Sequence, residues 1–308
     1  MNALRAHRGL LGASAVVFAA SASTTVLWCG SMSAMPGMEM PGGWTMSMAW
    51  MRMPGQGWLG AAATFIGMWS VMMVAMMLPV LVPMLSRYRE ALARTDGTRL
   101  GQLTTLVGAG YFSVWTLCGV VVFPLGLVLA EIAMREPVVS RAVPIATGVV
   151  VLIAGILQFT TWKKWQLACC RAAPGCVLTA NARTAWRHGL QLGLHCLRCC
   201  AGLTAGLLVI GVMDLRAMAI VAIAIAAERL APGAERVAHA IGILIIMGGI
   251  LLIAREPALL INWRNMRTSH AHARVLVSAH HLRAVCLAAT PVPLHPSAPP
   301  MSAFAVIC

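Results

Sequence analysis

Of the 308 residues, 59% are hydrophobic and only 10% are charged, against roughly 25% charged in an ordinary soluble domain, which excludes a single water-soluble core. Several apolar runs reach the roughly 20 residues that cross about 30 Å of hydrocarbon as a helix, so the sequence predicts an all-α, polytopic transmembrane bundle of about seven spans, six if the first is cleaved. The formal net charge of +14 comes from basic residues gathered in loops and tails without interleaved aromatics, which argues against nucleic acid as a partner and points to anionic lipid headgroups.

The first apolar run, Leu10 to Cys29, follows Arg5 and Arg8 and contains Ala20-Ser21-Ala22, which resembles a signal-peptidase site. Its continuation through Val26, Leu27 and Trp28 favours a retained anchor over a cleaved signal for residues 1–29. Residues 30–57 are poor in charge and rich in Gly, Pro and Met, a composition that buries no core and predicts a flexible external loop. A membrane domain follows over residues 58–256. Its first span, Trp58 to Leu85, ends in Pro79 and Pro83, which loosen a helix, and Arg87, Arg89, Arg94 and Arg99 then mark the cytoplasmic side.

Leu103 to Ala130 leads back out to Glu131, Arg135, Glu136 and Arg141. Val143 to Phe159 returns to a loop holding Lys163, Lys164, Arg171, Arg183 and Arg187 without an acidic residue, the strongest cytoplasmic signal in the chain. Gly189 to Met213 and Leu215 to Leu230 form a helical hairpin around Asp214, and Ala238 to Ala254 is the last span. Alternation puts the end of that span outside, whereas Arg255, Arg264, Arg267, Arg274 and Arg283 argue for the inside; a re-entrant segment would remove the conflict. Residues 257–308 carry His270, His272, His280, His281, His295 and several prolines, and read as a disordered tail.

Sulfur is the chemistry that stands out. Eight methionines lie between Met32 and Met53, six of them in the Met-x-Met pairs Met38/Met40, Met46/Met48 and Met51/Met53. Thioethers are poor ligands for hard cations and suit Cu(I), and the pairing lets two sulfurs of a mobile loop converge on one ion. A sticky loop lying on the bilayer is the alternative. In the next span, spacings of three and four put Met68, Met72 and Met76 on one stripe and Met73 and Met77 on its neighbour, a pattern equally suited to core packing and to a row of ligands.

The sharpest motif is His195-Cys196-Leu197-Arg198-Cys199-Cys200, whose three thiols share one helical face. His195 and Arg198 would favour thiolates there. Counting about 1.5 Å per residue from the helix ends, the cysteines and Met72 to Met77 fall at overlapping depths, so neighbouring helices would join them in one site. Cys169, Cys170 and Cys176 add thiols in the basic loop. Asp214 and the adjacent pair Glu228-Arg229 read as turn charges at the membrane interface, with an ion-entrance role for Asp214 and Met213 as the alternative.

These residues resemble the DUF2182 family of predicted metal-binding integral membrane proteins, some of them labelled copper chaperones. The likeness covers about residues 60 to 255: Met68-Trp69 through Ala75-Met76-Met77-Leu78-Pro79 and Pro83-Met84, then Gln158 to Lys164, and above all Gly189 to Met218 with Glu228-Arg229-Leu230. It implies a small helical membrane domain with a Met-rich helix facing a Cys-rich one, with Met76, Met77, Cys196, Cys199 and Cys200 at the motif positions, and it implies no reaction. Arg198 and Ala201 depart from the small residue and the aromatic that the family usually carries there.

The expectation is therefore a multi-pass protein of a bacterial inner membrane, with residues 30–57 on the periplasmic side. It would bind a soft metal for trafficking, chaperoning or transfer, with Cu(I) as the leading ion, zinc as an alternative, and a metallochaperone or cuproprotein as partner. A membrane thiol oxidoreductase using Cys196-x-x-Cys199 is the first rival, but it strains helix geometry and leaves the methionines idle. A secondary transporter of a small solute would need more polar residues within the spans.

Overall fold

The computed structural model describes residues 2–33, 37–47, 50, 55–93, 99–171 and 181–255. Its helices are α1 (Asn2–Ser33), α2 (Trp58–Ala93), α3 (Leu100–Arg135), α4 (Pro137–Leu157), α5 (Thr161–Arg171), α6 (Ala182–Ile210), α7 (Leu215–Leu230) and α8 (Ala234–Arg255). The fold is all-α but for one short hairpin. Six helices, all except α5 and α7, are long and apolar enough to cross a membrane, and their outer faces carry exposed Leu, Ile and Val as lipid contact requires. Such helices point to a membrane protein.

Helices α2 and α3 are antiparallel and clasped at one level. Gly119 of α3 lies so close to Trp69 that a Cβ there would stand 2.4 Å from the indole. The indole in turn gives its N–H to the Trp115 carbonyl at 2.8 Å. With Trp69 fixed, Met73 and Met77 follow one and two turns on along the same stripe, fully buried like Trp69 itself. The expected loosening at the prolines is not a break: α2 runs through both Pro79 and Pro83, although each proline leaves the carbonyl four residues before it without its helical N–H partner.

Helix α6 lies parallel to α3 and even closer. A Cβ at Gly189 would sit 2.2 Å from the Val107 carbonyl oxygen, and one at Gly193 would sit 2.8 Å from that of Tyr111. Gly189 and Gly193 thus act as a small-x-x-x-small contact that lets two backbones touch. Glycines make the α4–α8 crossing as well, with Gly148 against Ile253 and Gly155 against Ile246. That pairing is antiparallel, so α8 runs towards the end of the bundle at which α4 begins. Helix α7 has 16 residues, which place Asp214 and Glu228 about 21 Å apart along its axis.

Part of the segment expected to be a flexible loop is ordered. Met38–Met40 (β1) and Trp44–Met46 (β2) pair antiparallel, Met38 opposite Met46 and Met40 opposite Trp44. The turn contains Gly42 and Gly43 at φ 119° and 76°, a region that side-chain-bearing residues rarely occupy. The Trp44 indole donates to the Ser140 carbonyl at 2.8 Å, and the Ser140 hydroxyl donates to the Pro41 carbonyl at 2.9 Å. The hairpin is thereby fastened to the first turn of α4.

Candidate metal centre

The α3–α6 contact decides what faces what. Cys196 comes one turn after Gly193, and Tyr111 lies on the facing stretch of α3, so the close approach presses the phenol onto the thiol. Tyr111 donates its hydroxyl to Cys196 Sγ at 2.8 Å. From α2, Met77 meets the same sulfur, with Cys196 Sγ 4.0 Å from Met77 Sδ. Cys200, one turn along α6, places its Sγ 3.9 Å from that of Cys196. Cys196, Cys199 and Cys200 are all buried, as are Met72, Met73, Met76 and Met77, in one continuous cluster.

The spacing fits a soft ion. With metal–sulfur bonds of about 2.3 Å, three sulfurs in trigonal coordination would stand about 4.0 Å apart, and two edges of such a triangle are present before any metal binds. Among the described residues, no three His, Cys, Asp or Glu side chains form a metal site by themselves. The donors that converge are two thiols and a thioether, a set suited to Cu(I) and poor for hard cations. The cysteines lie on an uninterrupted helix, where a disulfide between neighbours three or four apart requires unwinding.

A polar framework surrounds the sulfurs, and here the structure corrects the sequence reading. Glu228 and Arg229 are not interfacial turn charges: both are buried, 1% and 6% exposed. Glu228 accepts from Lys163 Nζ and from Gln158 Nε2, each at 2.7 Å. Lys163 also donates to the Cys199 carbonyl at 2.8 Å, tying α5 to both α6 and α7. Arg229 reaches the thiols instead, with Nη2 3.9 Å from Cys200 Sγ. Arg198, expected to serve as the local cation, is exposed, because its position on α6 turns it away from the face that the three cysteines share.

The remaining sulfurs fall elsewhere. Met40 and Met46 are buried against Ala130 and Ala133 with Trp44 and Trp50 around them, while Met38 is 42% exposed. Met48 lies outside the described residues. Cys169 and Cys170 occupy the last turn of α5 rather than a loop, with side chains outside the described set, as is the whole of Cys176. Asp214 is exposed and caps α7, its Oδ1 accepting from the Arg216 and Ala217 backbone.

Fold and site together define a membrane helical bundle built around buried thiols and thioethers. A family model described as PpoB2, copper chaperone, matches residues 66–252, more than half of the chain and all of α3 to α7. The chain belongs to this copper-chaperone family. No curated protein and no solved structure matches it.

Proposed function

We propose that the protein is a carrier of Cu(I) in a bacterial inner membrane, holding the ion between Cys196, Cys200 and Met77. The observation that carries this reading is the convergence of the three sulfurs at separations of 3.9 and 4.0 Å inside a copper-chaperone family member. Binding exchanges thiol protons for the ion and moves no electron. Tyr111 and Arg229, a neutral donor and a cation, support the negative charge that the bound sulfurs carry. Because the sulfurs are buried, the ion is not free to equilibrate with water and is handed from sulfur to sulfur, ending on a cuproprotein or metallochaperone. The hairpin end is the periplasmic side, since α5 with Lys163, Lys164 and the basic residues that follow marks the other face as cytoplasmic.

The test is metal content of the full chain purified in detergent under reductant. At least one Cu(I) per chain is expected, with one ion fewer in Cys196→Ser/Cys200→Ser and a smaller loss in Met77→Leu. A chain that shows no affinity for Cu(I), or a double serine variant that holds as much copper as the unmodified chain, refutes the reading.

A further inference from the structure

The thiol–thioether contact of the centre recurs among the described residues near the hairpin end of the bundle. Cys29, in the last turns of α1, is 1% exposed and meets the Met213 thioether with a sulfur–sulfur distance of 4.0 Å, the separation seen between Cys196 and Met77. The two residues are 184 positions apart. Met213 belongs to the short turn between α6 and α7, so two unrelated segments each deliver one soft donor to the same point.

The setting of Cys29 is selective. Helix α1 is largely exposed, and among its described side chains the buried ones are Ser21, Thr25 and Cys29, one stripe at four-residue spacing. Ser21 and Thr25 give their hydroxyl protons to carbonyls of α1 itself. Cys29 directs its sulfur to another segment. It lies in the same continuous buried cluster as Met68, Met72, Met73, Met76, Met77, Cys196 and Met218. Cys196 stands about 21 Å below the end of α6, and the methionines from Met68 to Met77 span about 14 Å of the neighbouring helix. Soft sulfur therefore lines the interval between the two pairs.

We propose that Cys29 and Met213 form a second soft-metal site, a thiol–thioether pair that takes a monovalent soft ion, Cu(I), ahead of the Met77–Cys196–Cys200 centre. The proposal rests on the copper-carrying function argued above. Binding replaces the thiol proton with the ion, so copper arrives and leaves as Cu(I) with no electron transferred. Cys29 precedes the matched family region, which covers residues 66–252 and includes Met213, so the pair joins a residue outside that region to one within it. The exposed carboxylate of Asp214, next to Met213, gives the approach a negative charge.

The experiment counts Cu(I) retained by the full chain in detergent against a competing Cu(I) chelator. The unmodified chain should hold about two ions, Cys29→Ser and Met213→Leu about one each, Cys196→Ser/Cys200→Ser about one, and the three serines together almost none. Full retention by both Cys29→Ser and Met213→Leu overturns the second site and leaves the inner one standing. Full loss in those two variants but none in Cys196→Ser/Cys200→Ser keeps the second site and removes the inner assignment. A chain that holds no copper overturns both. Metal-free melting of each variant checks the fold. Met213→Leu, nearly equal in volume and half-buried, decides the matter where Cys29→Ser lowers the melting temperature.

Discussion

Two regions of this chain are rich in methionine, and they use it differently. In the hairpin, Met40 and Met46 are packed among alanines and tryptophans, with no cysteine in their cluster among the described residues. On α2, Met77 is also buried, yet its sulfur touches a thiol that a phenol also contacts, with an arginine on Cys200 one turn along. Methionine is adaptable packing material wherever it lies. What separates ligand from filler is therefore the company the sulfur keeps, a second soft donor and polar groups able to support charge, more than the local density of methionine.

The framework that belongs to the centre alone gives the largest expected effect. Glu228→Leu leaves Lys163 buried beside the Cys199 carbonyl without its carboxylate, and breaking such a buried pair costs about 3–5 kcal/mol. Thermal unfolding in detergent should show this loss, and Lys163→Met/Glu228→Leu should recover most of it, because replacing both partners removes the stranded charge. If Glu228→Leu melts like the unmodified chain, the framework is dispensable and the contrast between the two regions weakens.

Next comes the helix crossing. Gly189→Ala places a methyl against the Val107 carbonyl, a rigid backbone atom, and overpacking of this kind costs about 1–3 kcal/mol. Since Tyr111 and Cys196 come from the two helices being separated, Cu(I) affinity should fall together with stability. A variant that loses stability but binds copper unchanged would dissociate the crossing from the site. Tyr111→Phe is a finer probe. It removes one hydrogen bond, worth about 0.5–1.5 kcal/mol, and should weaken Cu(I) retention by a few-fold to about tenfold in a competition titration. Equal affinity in the phenylalanine variant would show that the phenol only fills space.

Much of this arrangement was legible in the sequence because helical period and depth are arithmetic. Cys196, Cys199 and Cys200 had to share a face, and the Met72–Met77 stretch had to sit at their height. The polar framework was not legible in the same way. Glu228 and Arg229 are adjacent, which suggests a surface pair, but neighbours on a helix point about 100° apart; one meets Lys163, 65 positions away, and the other meets Cys200. Tyr111 carried a signal in its polar tip, since the chain has only two tyrosines and a phenol within an apolar span needs a partner. Gly189-x-x-x-Gly193 carried another. The hairpin was signalled by Pro41-Gly42-Gly43 between alternating residues, but the methionine-rich composition around it favoured a loop.

The smallest effects should come from the hairpin, and they test the comparison most directly. Met40 and Met46 pack with Ala130, Ala133 and tryptophan rings. A shape-conserving change to leucine keeps that packing, so Met40→Leu and Met46→Leu should each alter stability by less than about 1.5 kcal/mol. Met38→Leu, at an exposed position, should stay within about 0.5 kcal/mol. Leucine keeps the volume of methionine and lacks its sulfur, so Cu(I) retention in the triple leucine variant separates the two roles. Unchanged retention means that the thioethers of the hairpin hold it to α3 by their shape alone. A loss as deep as that of Cys196→Ser/Cys200→Ser would mean that copper is bound through sulfurs that the fold has buried for packing, and proximity to thiols would no longer distinguish one methionine from another.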